Sequence, residues 1–165
     1  MRIQVGGLSE GLHEYRFRVE PAELRLDEHF SREVQVAASL ERRGTQFHLR
    51  AEISTVGRFV CDRCVAPFDR EVRPSYQMHY MSDEADISRY DPAELQVLSP
   101  GCTVIDMSDD VRQVLQLAIP LKLLCREDCA GLCPRCATNL NEATCSCVED
   151  HTDTRWEQLR RLTQN

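Results

Sequence analysis

The stretch EVQVAASLERRGTQFHLRAEISTV, residues 33–56, decides the fold. Apolar and polar residues alternate in both of its halves, and Arg42-Arg43-Gly44 stands between them. A period of two marks a half-buried strand, and a glycine between two such runs marks a hairpin turn. On the second strand Phe47, Leu49, Ala51 and Ile53 fall on one face.

The pattern extends in both directions. Upstream, YRFRVE puts Tyr15, Phe17 and Val19 on one side of a strand, and PAELRLDEHF, opening at Pro21, fits a short helix or a loop. Downstream, GRFV runs into CDRC, and APFDREVRPSYQMHYM continues beyond it. Pro74 is expected to make that last strand an edge or to place a bulge there, because proline cannot donate to a ladder. Residues 82–94 are acidic and polar and predict a mobile loop. Ser108 is the expected N-cap of a helix, with Asp109 and Asp110 in its positive first turn and Val111, Val114, Leu115 and Ala118 as its apolar stripe. Pro120 is expected to end it. At the end of the chain, DTRWEQLRRLTQN predicts a helix with Trp156, Leu159 and Leu162 on one side.

These elements predict an α+β fold: an antiparallel β-sheet domain, as a meander or partly open barrel, with one packed helix. A cysteine cluster and a short C-terminal helix complete it. The expected division is residues 1–124 for the sheet domain, with a CxxC knuckle at 61–64, and residues 125–165 for the cysteine-rich segment.

At 165 residues, 42 % hydrophobic and 28 % charged, the composition is that of a globular domain. No apolar run approaches the roughly 20 residues of a membrane span. MRIQVGGLSE lacks the apolar core of a signal peptide, so a cytoplasmic protein without membrane association is expected. The net charge is −7. Residues 1–75 are balanced, and the remainder carries the whole excess. Four thiolates around a dication stay dianionic, so bound metal would not cancel it. The second half is therefore a poor non-specific ligand for nucleic acid.

There are nine cysteines, and six of them fall in residues 124–147, LCREDCAGLCPRCATNLNEATCSC. Cys61 and Cys64, like Cys133 and Cys136, have the spacing of a zinc knuckle. Cys125 and Cys129 lie one helical turn apart, and Cys145 and Cys147 would share one face of an extended backbone. Each pair is half of a tetrahedral site, so two zinc ions are expected, with one as the lesser outcome. An eight-residue link lets Cys133 and Cys136 join Cys145 and Cys147, which leaves Cys61 and Cys64 for Cys125 and Cys129. The competing arrangement collects Cys125, Cys129, Cys133 and Cys136. His151 is a substitute ligand at one site, and Cys102 is expected to be a spectator.

Disulfides fit a secreted chain, and a redox dithiol needs a strand-to-helix turn. Catalytic zinc keeps an open position with three protein ligands. The histidines are scattered without metal-protease spacing, and no nucleophile, base and acid set stands out. The expectation is a non-enzyme with no small-molecule substrate. In the sheet, Arg50, Arg58, Arg63, Arg70 and Arg73 either share a face or belong to a solvated surface of mixed charge.

The order FVCDRCVAPF, AIPLKLLCREDCAGLCPRCATNLN, CSC and DTRWEQLRRL, within residues 53–162, resembles the bacterial YceD family, the large ribosomal RNA subunit accumulation proteins. The resemblance implies a cytoplasmic, non-catalytic factor needed for accumulation of large-subunit (23S) ribosomal RNA. The charge distribution makes a ribosomal protein or a pre-ribosomal particle the expected partner, with direct RNA contact, which net charge does not support, as the competing contact. The alternative is a zinc-scaffolded protein-interaction module that affects ribosomal RNA only indirectly. Two residues depart from the family pattern: Ala137 replaces a glycine after the knuckle, and Thr154 replaces a proline. Alanine in a left-handed turn is expected to weaken the second site slightly.

Overall fold

The computed structural model describes residues 1–81 and 90–147. The expected C-terminal helix, His151, Thr154 and most of the acidic loop lie outside the described residues.

The hairpin forms as its alternation requires. β3 (Val34–Arg43) and β4 (Gln46–Val60) pair antiparallel with Arg43 opposite Gln46, so Gly44 and Thr45 make the turn. Gly44 has φ 59°, the left-handed region that a two-residue turn needs and glycine adopts without strain. β2 (Gly11–Val19) adds to the far side of β3.

β4 organises the rest. Its first part lies between β3 and β6 (Ser75–Met81), and its last part pairs with β5 (Pro67–Val72). Beside Pro74 β6 is the expected edge among the described residues, but β7 (Leu95–Val97) pairs parallel to its last three residues, 79–81. Pro74 occupies the break between β5 and β6, where its missing N–H costs no ladder bond and its carbonyl accepts from Ile53 at 2.9 Å. The sheet is mixed and runs β2-β3-β4-β6-β7, with β5 on β4. β2 and β7 do not pair, so the sheet stays open rather than closing into a barrel.

Every odd-numbered residue of β4 from Phe47 to Phe59 is buried. Val34, Val36, Ala38 and Leu40 of β3 and Tyr80 of β6 join them in one core. Each valine, leucine, isoleucine or phenylalanine among them, fully buried, contributes about 1.5–3 kcal/mol. Gly57 is required by that packing, since a Cβ there would lie 2.5 Å from the Phe59 ring.

The lid of this core has a part not foreseen. β1 (Arg2–Gln4) and β8 (Val104–Asp106) form a two-stranded ribbon that contributes Ile3 and Ile105. The ribbon leads into α1 (Ser108–Leu117), whose Val111 and Leu115 are fully buried. Ser108 is the first helical residue, not the N-cap. Met107 holds the cap position without a side-chain bond, and Asp106 Oδ1 accepts from the Ser108 N–H at 3.0 Å. Residues 21–26 form turns rather than a helix, pinned by buried Leu24.

Candidate metal centre

The parity that buries Phe59 also buries Cys61, two residues further on. The chain then turns tightly. Val65 N–H donates to Cys61 O and Cys61 N–H to Ala66 O, both at 2.9 Å, with Val65 at φ 58°. The second CxxC repeats this geometry. Ala137 N–H donates to Cys133 O and Cys133 N–H to Thr138 O at 2.9 Å, with Ala137 at φ 56°. The left-handed turn expected at Ala137 is present, and an equivalent one at Val65 had no sequence signal.

Two groups of four sulfurs result. Cys61, Cys64, Cys125 and Cys129 form one, and Cys133, Cys136, Cys145 and Cys147 form the other; within each, all sulfurs lie within 4.8 Å of one another. The alternative set of Cys125, Cys129, Cys133 and Cys136 is not assembled. In the first group Cys61 Sγ lies 3.8 Å from Cys129 Sγ, and Cys64 Sγ lies 3.7 Å from Cys125 Sγ. Four sulfurs about 2.3 Å from a central zinc stand about 3.8 Å apart, so the thiol set fits a tetrahedral ion. Cys125 and Cys129 are joined by a turn closed by Cys129 N–H to Arg126 O at 3.2 Å, not by the expected helical turn. Cys102 stays apart, exposed, with its thiol on Val104 O.

Backbone pairing brings the distant halves of the first group together. Asp62 N–H donates to Leu123 O at 2.8 Å, and Leu123 N–H returns a bond to the Asp62 carboxylate at 2.7 Å. Leu132 N–H donates to Arg63 O at 3.1 Å, and the Arg63 guanidinium reaches Cys129 O at 2.8 Å. Gly131, at φ 79°, leaves room for this approach, because a Cβ would sit 3.1 Å from Arg63 O.

Asn141 belongs to the loop of the second group but serves the first. Its Nδ2 donates to Cys129 Sγ at 3.3 Å and its Oδ1 accepts from Ala130 N–H at 2.8 Å. The same Oδ1 takes the Arg126 guanidinium at 2.8 Å, and Asn139 Oδ1 orients the amide from 2.7 Å. The sequence reading missed this residue, although two asparagines in an eight-residue link were the available signal.

The electrostatics of both groups suit a cation. Burial pushes the Cys61 thiol up, but bonds from the backbone at Cys125, Cys64 and Arg63 overcome it and bring its pKa down to about 6. Thr138, through side chain and backbone, brings Cys136 down to about 6. Burial together with neighbouring sulfurs pushes Cys125 up to about 12, and the Cys136 contact followed by burial does the same to Cys147. Four thiolates cannot all ionise side by side unless a cation sits among them, so metal binding would release protons.

The chain is thus a sheet protein whose longest strand ends in a four-sulfur centre, with a second such centre bonded to the first. Residues 49–163 match the family described as large ribosomal RNA subunit accumulation protein YceD, and the chain belongs to that family. The family's name describes a role in accumulation of the large ribosomal RNA, not a catalysed reaction. The chain is also 32 % identical over 63 residues to the "Large ribosomal RNA subunit accumulation protein YCED homolog 1, chloroplastic" of Arabidopsis thaliana. That match covers 38 % of this chain and spans a fifth (20 %) of the relative's length. No solved structure matches.

Proposed function

We propose that this chain is a cytoplasmic, non-catalytic factor for accumulation of large-subunit (23S) ribosomal RNA, and that it binds two zinc ions through its eight clustered cysteines. The observation that carries this reading is the pair of complete four-sulfur groups in a chain of this family. Four thiolates close a tetrahedral site, leaving no position for substrate, so zinc here serves folding rather than chemistry. The partner we assign is a ribosomal protein or a pre-ribosomal particle. The acidic second half supports a contact made within an assembly over tight capture of bare RNA.

Protein purified without chelator is expected to carry close to two zinc equivalents, and cells depleted of the protein to lose large-subunit RNA in sedimentation profiles. One equivalent refutes the second site. Intramolecular disulfides in fresh protein with no metal refute both, and normal large-subunit RNA after depletion removes the ribosomal role.

A further inference from the structure

The face of the sheet turned away from α1 and the ribbon has no part in the metal centres. On β4 it presents the even-numbered residues His48, Arg50, Glu52 and Ser54, and the register continues this face on both sides. Opposite them lie Glu41, Ser39, Ala37 and Gln35 of β3, and then Leu12, Glu14, Arg16 and Arg18 of β2. His79, Gln77 and Ser75 supply it from β6.

Small residues at Ala37, Ser39, Ser54 and Ser75 let this face sink into a connected trough. A hollow of about 570 Å³ adjoins one of about 370 Å³, the two sharing Arg16, Ala37 and Glu52. The latter shares Arg50 with a third hollow of about 250 Å³. Five arginines (16, 18, 43, 50 and 73) line the trough against Glu14, Glu41 and Glu52. The face is of mixed charge: Arg18 pairs with Glu33, Arg43 with Glu41 and Arg73 with Glu71, and Glu94 accepts from Gln77. Arg16 and Arg50 make no ion pair with any described residue. The sequence reading had named Arg50 and Arg73 but not Arg16 or Arg18. Arg63, which it included, is turned into the knuckle instead.

One end of the trough is aromatic. His48 and His79 are directly opposite on β4 and β6 and stack at 4.3 Å with 5° between planes. Tyr90 lies 4.6 Å beyond His79. Burial, then His79 and Arg50, hold the His48 imidazole below its ordinary value. Cations along a trough that ends in ring faces suit a polyanion with flat, exposed bases. An acidic peptide would satisfy the arginines and leave the rings without a partner.

We propose that this trough binds single-stranded RNA, with the unpaired Arg16 and Arg50 on phosphates and a base against the outer face of Tyr90. The proposal rests on the ribosomal reading and names the surface that meets RNA inside the particle. Six glutamates (14, 33, 41, 52, 71 and 94) moderate the attraction, so binding to free RNA is weak and tolerant of sequence.

The test uses the full zinc-loaded chain and a labelled uridine oligonucleotide of about 12 nucleotides, titrated between about 50 and 200 mM salt. A dissociation constant of order 10 µM is expected at the lower salt. Arg16→Ala with Arg50→Ala should weaken binding at least about tenfold and lower the salt slope by about 1.4. Tyr90→Ala should weaken it roughly tenfold at unchanged slope. Arg112→Ala, on α1, should bind like wild type. Zinc content and circular dichroism report whether each variant keeps its fold. The proposal fails if the double variant binds as wild type does, if Arg112→Ala loses as much, or if duplex RNA or polyglutamate binds as well as the single strand. In depleted cells, full rescue by the double variant would sink the trough and leave the ribosomal role standing. RNA binding without any depletion phenotype would do the reverse.

Discussion

Val65 and Ala137 hold equivalent places, each following the second cysteine of a knuckle at φ near 57° (58° and 56°). There Cβ crowds the backbone at a cost of about 1–2 kcal/mol, more for a β-branched side chain, and glycine escapes it. Val65 is 62 % exposed, so its side chain contributes little burial in compensation. Val65→Gly is expected to stabilise the protein by about 1 kcal/mol, net of glycine's greater entropy loss, and Ala137→Gly by less. Denaturant midpoints of the zinc-loaded proteins measure both, and a lowered midpoint for Val65→Gly would count against strain at the knuckle. Only one of these positions announced itself in the sequence. Ala137 drew notice through its difference from the family pattern, whereas valine between two strands looked like ordinary strand composition.

At the level of elements, β4 is where stability and the first sulfur centre meet. Losing Cys61 would leave three thiols around a buried position and untie the strand end from the segment around Cys125 and Cys129. Cys61→Ser is therefore expected to lower the melting temperature of the whole sheet and to release one zinc equivalent, while Cys102→Ser does neither. Zinc release from the Cys102 variant would show the ligand set to be wrong. β3 and β4 were legible because a sheet with one buried face must alternate, and the alternation survives in the sequence without knowledge of the partner. The ribbon was not. Three residues around Ile3 carry no period of their own, and their partner, Ile105, lies about a hundred residues away. The far end of β6 was not legible for a related reason: Pro74 does mark an edge beside it, but the parallel neighbour of residues 79–81, β7, is too short to be read as a strand.

Taken whole, the molecule does not keep its two sulfur groups independent. The pairing of cysteines could be argued from loop length, but the Asn141 bridge could not, because nothing in a local pattern aims an amide at the sulfur of another site. Removing the Asn141 amide also removes the acceptor of the exposed Ala130 N–H and Arg126 guanidinium. Asn141→Ala is expected to cut metal affinity at the first group about ten- to a hundredfold, although Asn141 supplies no ligand. Chelator competition with a chromophoric zinc indicator reads this directly. Equal affinities for variant and wild type would mean the groups work separately. The same competition should strip the second group first, since Cys136 is exposed whereas Cys61, Cys64 and Cys129 are buried.

The unbroken run of inward odd-numbered residues along β4 makes the ion a reader of register. A strand that slips by one residue keeps its length but turns Phe47, Leu49, Ile53 and Phe59 to the outer face. In this chain such a slip also turns Cys61 outward, and the first centre cannot then close. Zinc occupancy thus works as a parity check: a molecule that holds its first ion has its longest strand paired with the face that carries Phe47 through Phe59 turned inward.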